Sequence, residues 1–208
     1  DNHLDTHWLP GDLWQKRLPE KYRKDGPKVQ ETDDGSYWVW EDKRHDGSAA
    51  GSSNAKYLEQ FRSMGVEIEE GILPPSDPKV MLEHMDMSRI YSSVFFSAVR
   101  KWDVRDPELC KAVYRAFNNY AVEMNAISPD RIIVLPALPT QYPDECIAEF
   151  DRLAKEGVRG FEFPPFDVAK PAFDECWDPL WARANEAGIT MCTHIGGPAA
   201  SALPPNQR

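Results

Sequence analysis

The sequence predicts an α/β protein built around parallel strands, and three features carry that prediction. Apolar, strand-like runs alternate with amphipathic runs of helical spacing from residue 77 onward. Residues 131–138 form an apolar run with almost no polar alternation, which is typical of parallel strands buried on both faces. The links between these runs are short. An open doubly wound sheet and a (β/α)8 barrel both fit this order, but no strand is followed by the glycine-rich turn of a dinucleotide fold.

Proline and glycine mark the limits of the predicted elements. Asp-Pro pairs open three of the predicted helices, because proline is accepted at the first helical position, and Ser76 or Asp77 is the expected cap of the first of them. Gly157 and Gly188 end two helices, since glycine readily takes the left-handed conformation. The predicted helices begin at Asp77-Pro78 and Asp106-Pro107, span 144–156, and begin at Asp178-Pro179; the predicted strands are 2–5, 90–96, 131–138, 158–163 and 189–195.

Residues 8–75 do not follow this alternation. They contain four tryptophans, and Asp34-Gly35 is a hairpin turn signal between two short strand-like segments. We interpret the region as an insertion after the first strand, within one domain covering 1–208. We expect it to pack as a flap in which the tryptophans form a small core and not a substrate cage.

Composition excludes several classes of function. The formal net charge of −10 argues against a protein that binds nucleic acid or an anionic membrane, because such surfaces need Lys and Arg. No apolar run reaches the ~18 residues of a membrane helix. Four scattered cysteines without a CxxC pair predict reduced thiols in a cytoplasmic protein; they are Cys110, Cys146, Cys176 and Cys192.

Two groups of residues could bind a metal ion. Asp1, His3, Asp5 and His7 alternate along one segment, so a strand there would point all four side chains to one face. His194 ends the last predicted strand, at the carboxyl end where α/β proteins bind ligands. One aspartate and two histidines form an N/O ligand set suited to Zn(II), Mn(II) or Fe(II).

Three other residues have less specific patterns. Glu162 is a carboxylate inside an apolar strand, between Phe161 and Phe163; it either has an electrostatic role in a site or pairs with a basic residue. We interpret His84 as a packing or surface histidine of a helix, and His45 as part of a solvated face.

Short motifs along nearly the whole chain resemble a known family in their order. The sequence resembles the amidohydrolase-related metalloenzymes that include aminocarboxymuconate-semialdehyde decarboxylase and γ-resorcylate decarboxylase. The resembling segments are Asp1-Asn2-His3, Trp8-Leu9-Pro10-Gly11-Asp12-Leu13-Trp14, His84-Met85-Asp86, Asp106-Pro107-Glu108-Leu109, Pro129-Asp130-Arg131, Gly157-Val158-Arg159-Gly160, Trp177-Asp178-Pro179-Leu180-Trp181 and Thr193-His194-Ile195-Gly196.

The resemblance implies a (β/α)8 TIM barrel with one divalent metal ion at its mouth. By position, Asp1 and His3 match the acidic-x-His ligand pair of the first strand, and His194 matches the histidine ligand of the fifth. A competing register gives the first-strand role to Asp5 and His7; we prefer Asp1 and His3. We expect zinc, with manganese or iron as alternatives.

The resemblance also implies that this chain is the N-terminal part of the family's fold, with about five of eight strands. The family's aspartate ligand on the eighth strand and its frequent catalytic histidine on the sixth have no counterpart before Arg208, so no catalytic residue is assigned.

The function that the resemblance implies is that of a metal-dependent hydrolase or non-oxidative decarboxylase acting on a small carboxylated or acyl substrate. The alternatives are a dinuclear iron oxygenase on the same barrel and a catalytically inactive scaffold or partner subunit. We expect a homo-oligomer, or a complex with a partner chain.

Overall fold

The computed structural model describes residues 2–33, 35–48, 63, 76–97, 102, 104–163 and 169–194. The chain divides into two compact units, Asp1–Val134 and Leu135–Arg208. None of the helices in the described residues has the length and apolar character needed to cross a bilayer.

A parallel sheet organises the first unit. Strands β1 (Asn2–Leu4) and β6 (Ile132–Val134) lie on either side of β5 (Ser93–Ser97), and both pair with it in parallel. Helices α3 (Pro78–Met87) and α4 (Pro107–Ile127) precede β5 and β6 in the chain. This is the predicted order of helix followed by parallel strand.

The aspartates of the Asp-Pro pairs cap these two helices, so that Asp77 and not Ser76 caps the first of them. The carboxylate of Asp77 accepts hydrogen bonds from the backbone N–H groups of Lys79 and Val80, at 3.0 and 3.1 Å. Asp106 accepts one from Leu109 N at 2.8 Å. Each side chain thereby satisfies N–H groups that have no partner within the helix.

The described part of the insertion contains an antiparallel sheet. Helices α1 (Leu13–Arg17) and α2 (Glu20–Arg23) precede three strands, β2 (Lys28–Thr32), β3 (Gly35–Trp40) and β4 (Lys43–Ser48). Strands β2 and β3 pair in antiparallel fashion, with Thr32 opposite Gly35, which agrees with the predicted hairpin; Asp34 lies outside the described residues. The sheet lies between β1 and α3 in the chain, as expected of an insertion.

Three of the four tryptophans of the insertion form a small core as expected, and the fourth member of that core is Trp102, which lies outside the insertion. Trp14, Trp38, Trp40 and Trp102 are all buried, and their contacting rings have centroids 4.4–5.4 Å apart, whereas Trp8 is half-buried. The Nε1 group of Trp14 donates to the carbonyl oxygen of Val113 in α4 at 3.1 Å. Such edge and tilted contacts bury large apolar areas, so these rings are packing residues.

The second unit contains the last two helix–strand repeats. Helix α5 (Pro143–Lys155) precedes β7 (Gly160–Glu162), and α6 (Asp178–Ala187) precedes β8 (Thr190–Cys192). Strands β7 and β8 pair in parallel. Gly188 ends α6 at φ +64°, which explains the glycine at this predicted stop.

The observed strands are shorter than the predicted ones. The run predicted as a strand from residue 90 begins pairing only at Ser93, because Ile90 and Tyr91 belong to a loop whose carbonyl groups bind Arg131. Strand β6 ends at Val134, before Pro136, which cannot donate to a ladder. In the described residues the parallel strands form two sheets and no closed barrel.

Candidate functional site

His3 lies on the less buried face of the first sheet. In the register of β1 and β5 it pairs with Phe96, and the two rings contact edge to face with centroids 6.3 Å apart. The neighbours Leu4 and Phe95, whose side chains point the other way, are buried. The alternation therefore leaves the His3 imidazole on the exposed side of this sheet.

The predicted four-residue alternation at the start of the chain is wrong. Strand β1 ends at Leu4, and the chain then makes a 3-10 turn over Thr6–Trp8 that contains His7. The backbone N–H of Trp8 donates to Asp5 O at 2.8 Å, which closes this turn. His7 therefore does not continue the strand of His3, and Asp1 lies outside the described residues.

Aromatic contacts define the two faces of the β7–β8 pair. The ring of Phe161 lies 4.8 Å from that of Phe150 in α5. The ring of Phe163 lies 5.2 Å from that of Trp177, which directly precedes α6, and 4.8 Å from that of Trp181 within α6. Phe161 and Phe163 therefore face the helices. Because side chains alternate along a strand, Glu162 points to the face opposite the helices.

Glu162 is a buried carboxylate on that opposite face. Glu162 is only 1% exposed, and it lies opposite Cys192 in the parallel register of β7 and β8. Its backbone N–H donates to Pro136 O at 2.9 Å, which holds the strand in place. His194 follows two residues after Cys192, the spacing that returns a side chain to the same face of an extended chain.

The negative charge of the Glu162 carboxylate affects the pKa of the Cys192 thiol. Burial raises the pKa of Cys192, and the nearby negative charge of Glu162 raises it further, because both disfavour the thiolate. The sequence singled out Glu162 but not the neighbouring position of Cys192, which was predicted only to be a reduced thiol. The spacing of two residues between Cys192 and His194 could have indicated that both side chains lie on one face of the strand.

The proposed ligands are not grouped in the described part of the chain. Among its residues, which exclude Asp1, no three His, Cys, Asp or Glu side chains lie together in a way that could hold a metal ion. The assignment of Asp1, His3 and His194, and the competing one of Asp5 and His7, therefore remain predictions.

The other two histidines, His84 and His45, are both half-buried. His84 is on α3, as expected, and is half-buried. His45 is also half-buried, and its ring stacks on Trp40, which differs from the solvated position expected of it. The aromatic core of the insertion explains this difference, since it gives the imidazole an apolar surface to cover.

A family comparison identifies the class of protein to which this chain belongs. The model of the amidohydrolase family matches residues 74–207, which is more than half of the chain. The chain therefore belongs to the amidohydrolase family.

Solved structures share its fold. An amidohydrolase from Mycobacterium avium subsp. paratuberculosis is 21% identical with a TM-score of 0.68, and the match covers 94% of this chain and 57% of that one. A 2,6-dihydroxybenzoate decarboxylase from Rhizobium is 21% identical with a TM-score of 0.52, and the match covers 70% of this chain and 45% of that one.

A third structure carries a metal ion. A dihydroxybenzoic acid decarboxylase from Polaromonas, with bound manganese and the inhibitor 2-nitroresorcinol, is 22% identical with a TM-score of 0.51; the match covers 72% of this chain and 46% of that one. These matches confirm the predicted TIM-barrel class of α/β fold, of which this chain holds a part. It spans only about half the length of these structures.

Proposed function

We propose that this chain supplies the first part of a metal-dependent active site, in which Asp1, His3 and His194 bind one divalent cation. The observation that supports the proposal is the placement of His3 on the exposed face of its sheet. In a barrel with helices outside, the strand faces opposite the helices line the interior. His194 follows β8 by the spacing that would give it the corresponding position.

The side chains of Asp1, His3 and His194 carry the types of ligand atom that divalent cations bind. Two imidazoles and one carboxylate suit zinc, manganese and iron, and the manganese in the Polaromonas structure is a precedent within the fold. When bound, such a cation polarises an oxygen atom of the substrate. The residues of this chain would hold it, and the buried carboxylate of Glu162 would add negative charge near the His194 end of β8.

Of the reactions open to this family, we propose non-oxidative decarboxylation of a small aromatic or unsaturated acid, with hydrolysis of an acyl substrate as the alternative. Two of the three structures described above are decarboxylases of dihydroxybenzoate, which supports this order. In the reaction the bond between the substrate carbon and its carboxylate breaks, CO2 leaves, and the carbon takes up a proton. The chain spans part of such a barrel, so the proton donor is left unassigned.

A metal analysis of the longer protein tests the ligand set. We expect one divalent ion per chain, lost in His3→Ala and in His194→Ala and retained in the control His84→Ala, which changes a histidine of α3. Full metal content in both site variants would contradict the assignment. Two irons per chain with an oxygen-dependent product would support the dinuclear oxygenase, and no metal in any preparation would support an inactive scaffold.

A product assay tests the reaction. We expect the purified longer protein to release CO2 from members of a panel of hydroxylated aromatic acids, and to lose that activity in His194→Ala. Turnover of amides or esters in the same panel, without CO2 release, would establish hydrolysis instead.

A further inference from the structure

The ring of Phe96 contacts the imidazole of His3 across the parallel strands β1 and β5. The two residues lie opposite each other in the register, and their ring centroids are 6.3 Å apart with an interplanar angle of 64°. Aromatic rings attract each other in this edge-to-face geometry, because the positive edge of one ring meets the negative face of the other. The contact therefore favours one orientation of the imidazole over the others that its side chain could adopt.

The backbone that carries Phe96 is fixed on both sides. Strand β5 pairs with β1 through Asn2–Leu4 and with β6 through Ile132–Val134. The residues before and after Phe96, Phe95 and Ser97, are buried on the opposite face of β5. Phe96 itself is half-buried, and a ring on a strand anchored in this way offers a well-defined surface to a neighbouring side chain.

The side chain of His3 has less support from its own strand. The backbone of β1 is held by its pairing with β5 and by the buried side chain of Leu4, but His3 itself is exposed. A ligand imidazole must keep one ring nitrogen aimed at the cation, and the groups around the ring set that orientation. An exposed histidine depends on neighbouring side chains for its orientation, and the ring of Phe96 is in contact with it.

We propose that Phe96 is a positioning residue of the metal site, whose ring holds the His3 imidazole in the orientation that binds the divalent cation. This inference rests on the proposed function, in which His3 is a ligand. The free energy of an edge-to-face contact, beyond that of its buried area, corresponds to a factor of about three to ten in a dissociation constant. An aliphatic side chain of similar size fills the space but lacks the charge distribution of the ring. The aromatic character of Phe96, and not only its volume, should therefore determine how tightly the cation is bound.

Titration of the metal-free longer protein with zinc, manganese or iron(II), in competition with a fluorescent chelator, tests this role. We expect the Kd for the metal to rise about three- to tenfold in Phe96→Leu, which keeps an apolar side chain, and to stay within about twofold in Phe96→Tyr, which keeps the ring. The matched control is Phe117→Leu, which removes a buried ring of α4 that lies 6.3 Å from the ring of Tyr120. It should lower the melting temperature and leave the Kd for the metal within about twofold of the original.

The outcomes separate the positioning role from the proposed function. Phe96→Ile, a second aliphatic variant suited to a strand, should show the same rise in Kd as Phe96→Leu. An unchanged Kd in both, in a protein that loses its metal in His3→Ala, overturns the positioning role and leaves the ligand set intact. An equal rise in Phe96→Tyr or in Phe117→Leu also overturns it, because general loosening of the first unit would then account for the loss. A longer protein that binds none of the three metals, or that keeps its metal in His3→Ala, overturns the proposed function and this inference together.

Discussion

Glu162 and Cys192 lie directly opposite each other across the parallel strands β7 and β8, and both side chains point away from the helices. A carboxylate that is 1% exposed therefore faces a half-buried thiol two residues before the proposed ligand His194.

The pKa of Cys192 should fall when the charge of Glu162 is removed. In Glu162→Gln the thiolate no longer meets a neighbouring negative charge, so we expect Cys192 to alkylate faster at a given pH. The rates are measured by mass spectrometry of the labelled peptides. The matched control is Glu186→Gln, which replaces an exposed carboxylate of α6 with a carboxamide and should leave the alkylation rate of Cys192 unchanged.

Cys146 gives an internal reference for that experiment. Burial, and to a lesser degree the proximity of Cys176, raises the pKa of Cys146 to about 12. It should stay unlabelled in the folded protein in both variants. Rapid labelling of Cys146 would indicate that the second unit is opening, and unchanged Cys192 rates would contradict the contact with Glu162.

Asn125→Ala should destabilise the first unit. The Asn125 side chain accepts a hydrogen bond from Val134 N at 2.6 Å and donates one to Val134 O at 2.9 Å, so it fastens α4 to the end of β6. Its loss leaves both groups without this partner, and we expect the free energy of unfolding to fall by about 1–3 kcal/mol. Urea unfolding measures the change.

The exposed Asn185 provides the comparison for this variant. Asn185→Ala changes the same side chain on α6, where it is exposed, and should alter the free energy of unfolding by less than about 0.5 kcal/mol. Equal effects of the two substitutions would contradict a special role for the Asn125–Val134 pair.

Glu41 should make the stability of the insertion depend on pH. Burial raises the pKa of Glu41, but hydrogen bonds from the backbone N–H groups of Arg105 and Asp106 and from the Arg105 guanidinium outweigh it, and the net pKa is lowered from 4.5. A lowered folded pKa means that the carboxylate stabilises the fold above the unfolded pKa. That stabilisation is lost as the pH falls through the folded value.

The variant Glu41→Gln should therefore be less stable than the original protein near neutral pH and should approach it in acid. We expect the difference in melting temperature to be largest above about pH 5 and to shrink at lower pH. Glu20→Gln, on an exposed carboxylate of α2, should show no such pH-dependent difference. A constant difference across this range would contradict the linkage.

The two candidate registers at the start of the chain should differ in metal binding. Since β1 contains His3 and the following 3-10 turn contains His7, we expect Asp1→Ala and His3→Ala to reduce metal content far more than Asp5→Ala and His7→Ala. Elemental analysis of the four purified variants ranks them. The reverse order would establish Asp5 and His7 as the ligand pair.

Local sequence signals predicted the order of elements correctly. The Asp-Pro pairs before α3 and α4 and the glycine after α6 mark the observed ends, because capping depends on the few residues at each terminus. Strand ends were predicted less well. Ile90 and Tyr91 are apolar enough for a strand, yet a distant arginine holds them in a loop.

The sequence by itself determined the alternation of helices and parallel strands, the hairpin of the insertion and the histidines that could bind a metal. Only the tertiary structure decided that β1 ends before His7, that Glu162 and Cys192 face each other, and that Arg131 binds the carbonyl groups of Ile90 and Tyr91 in a loop. The reason is physical: helix caps and hydrophobic period act within a few residues, whereas strand register and burial depend on contacts between segments far apart in the chain.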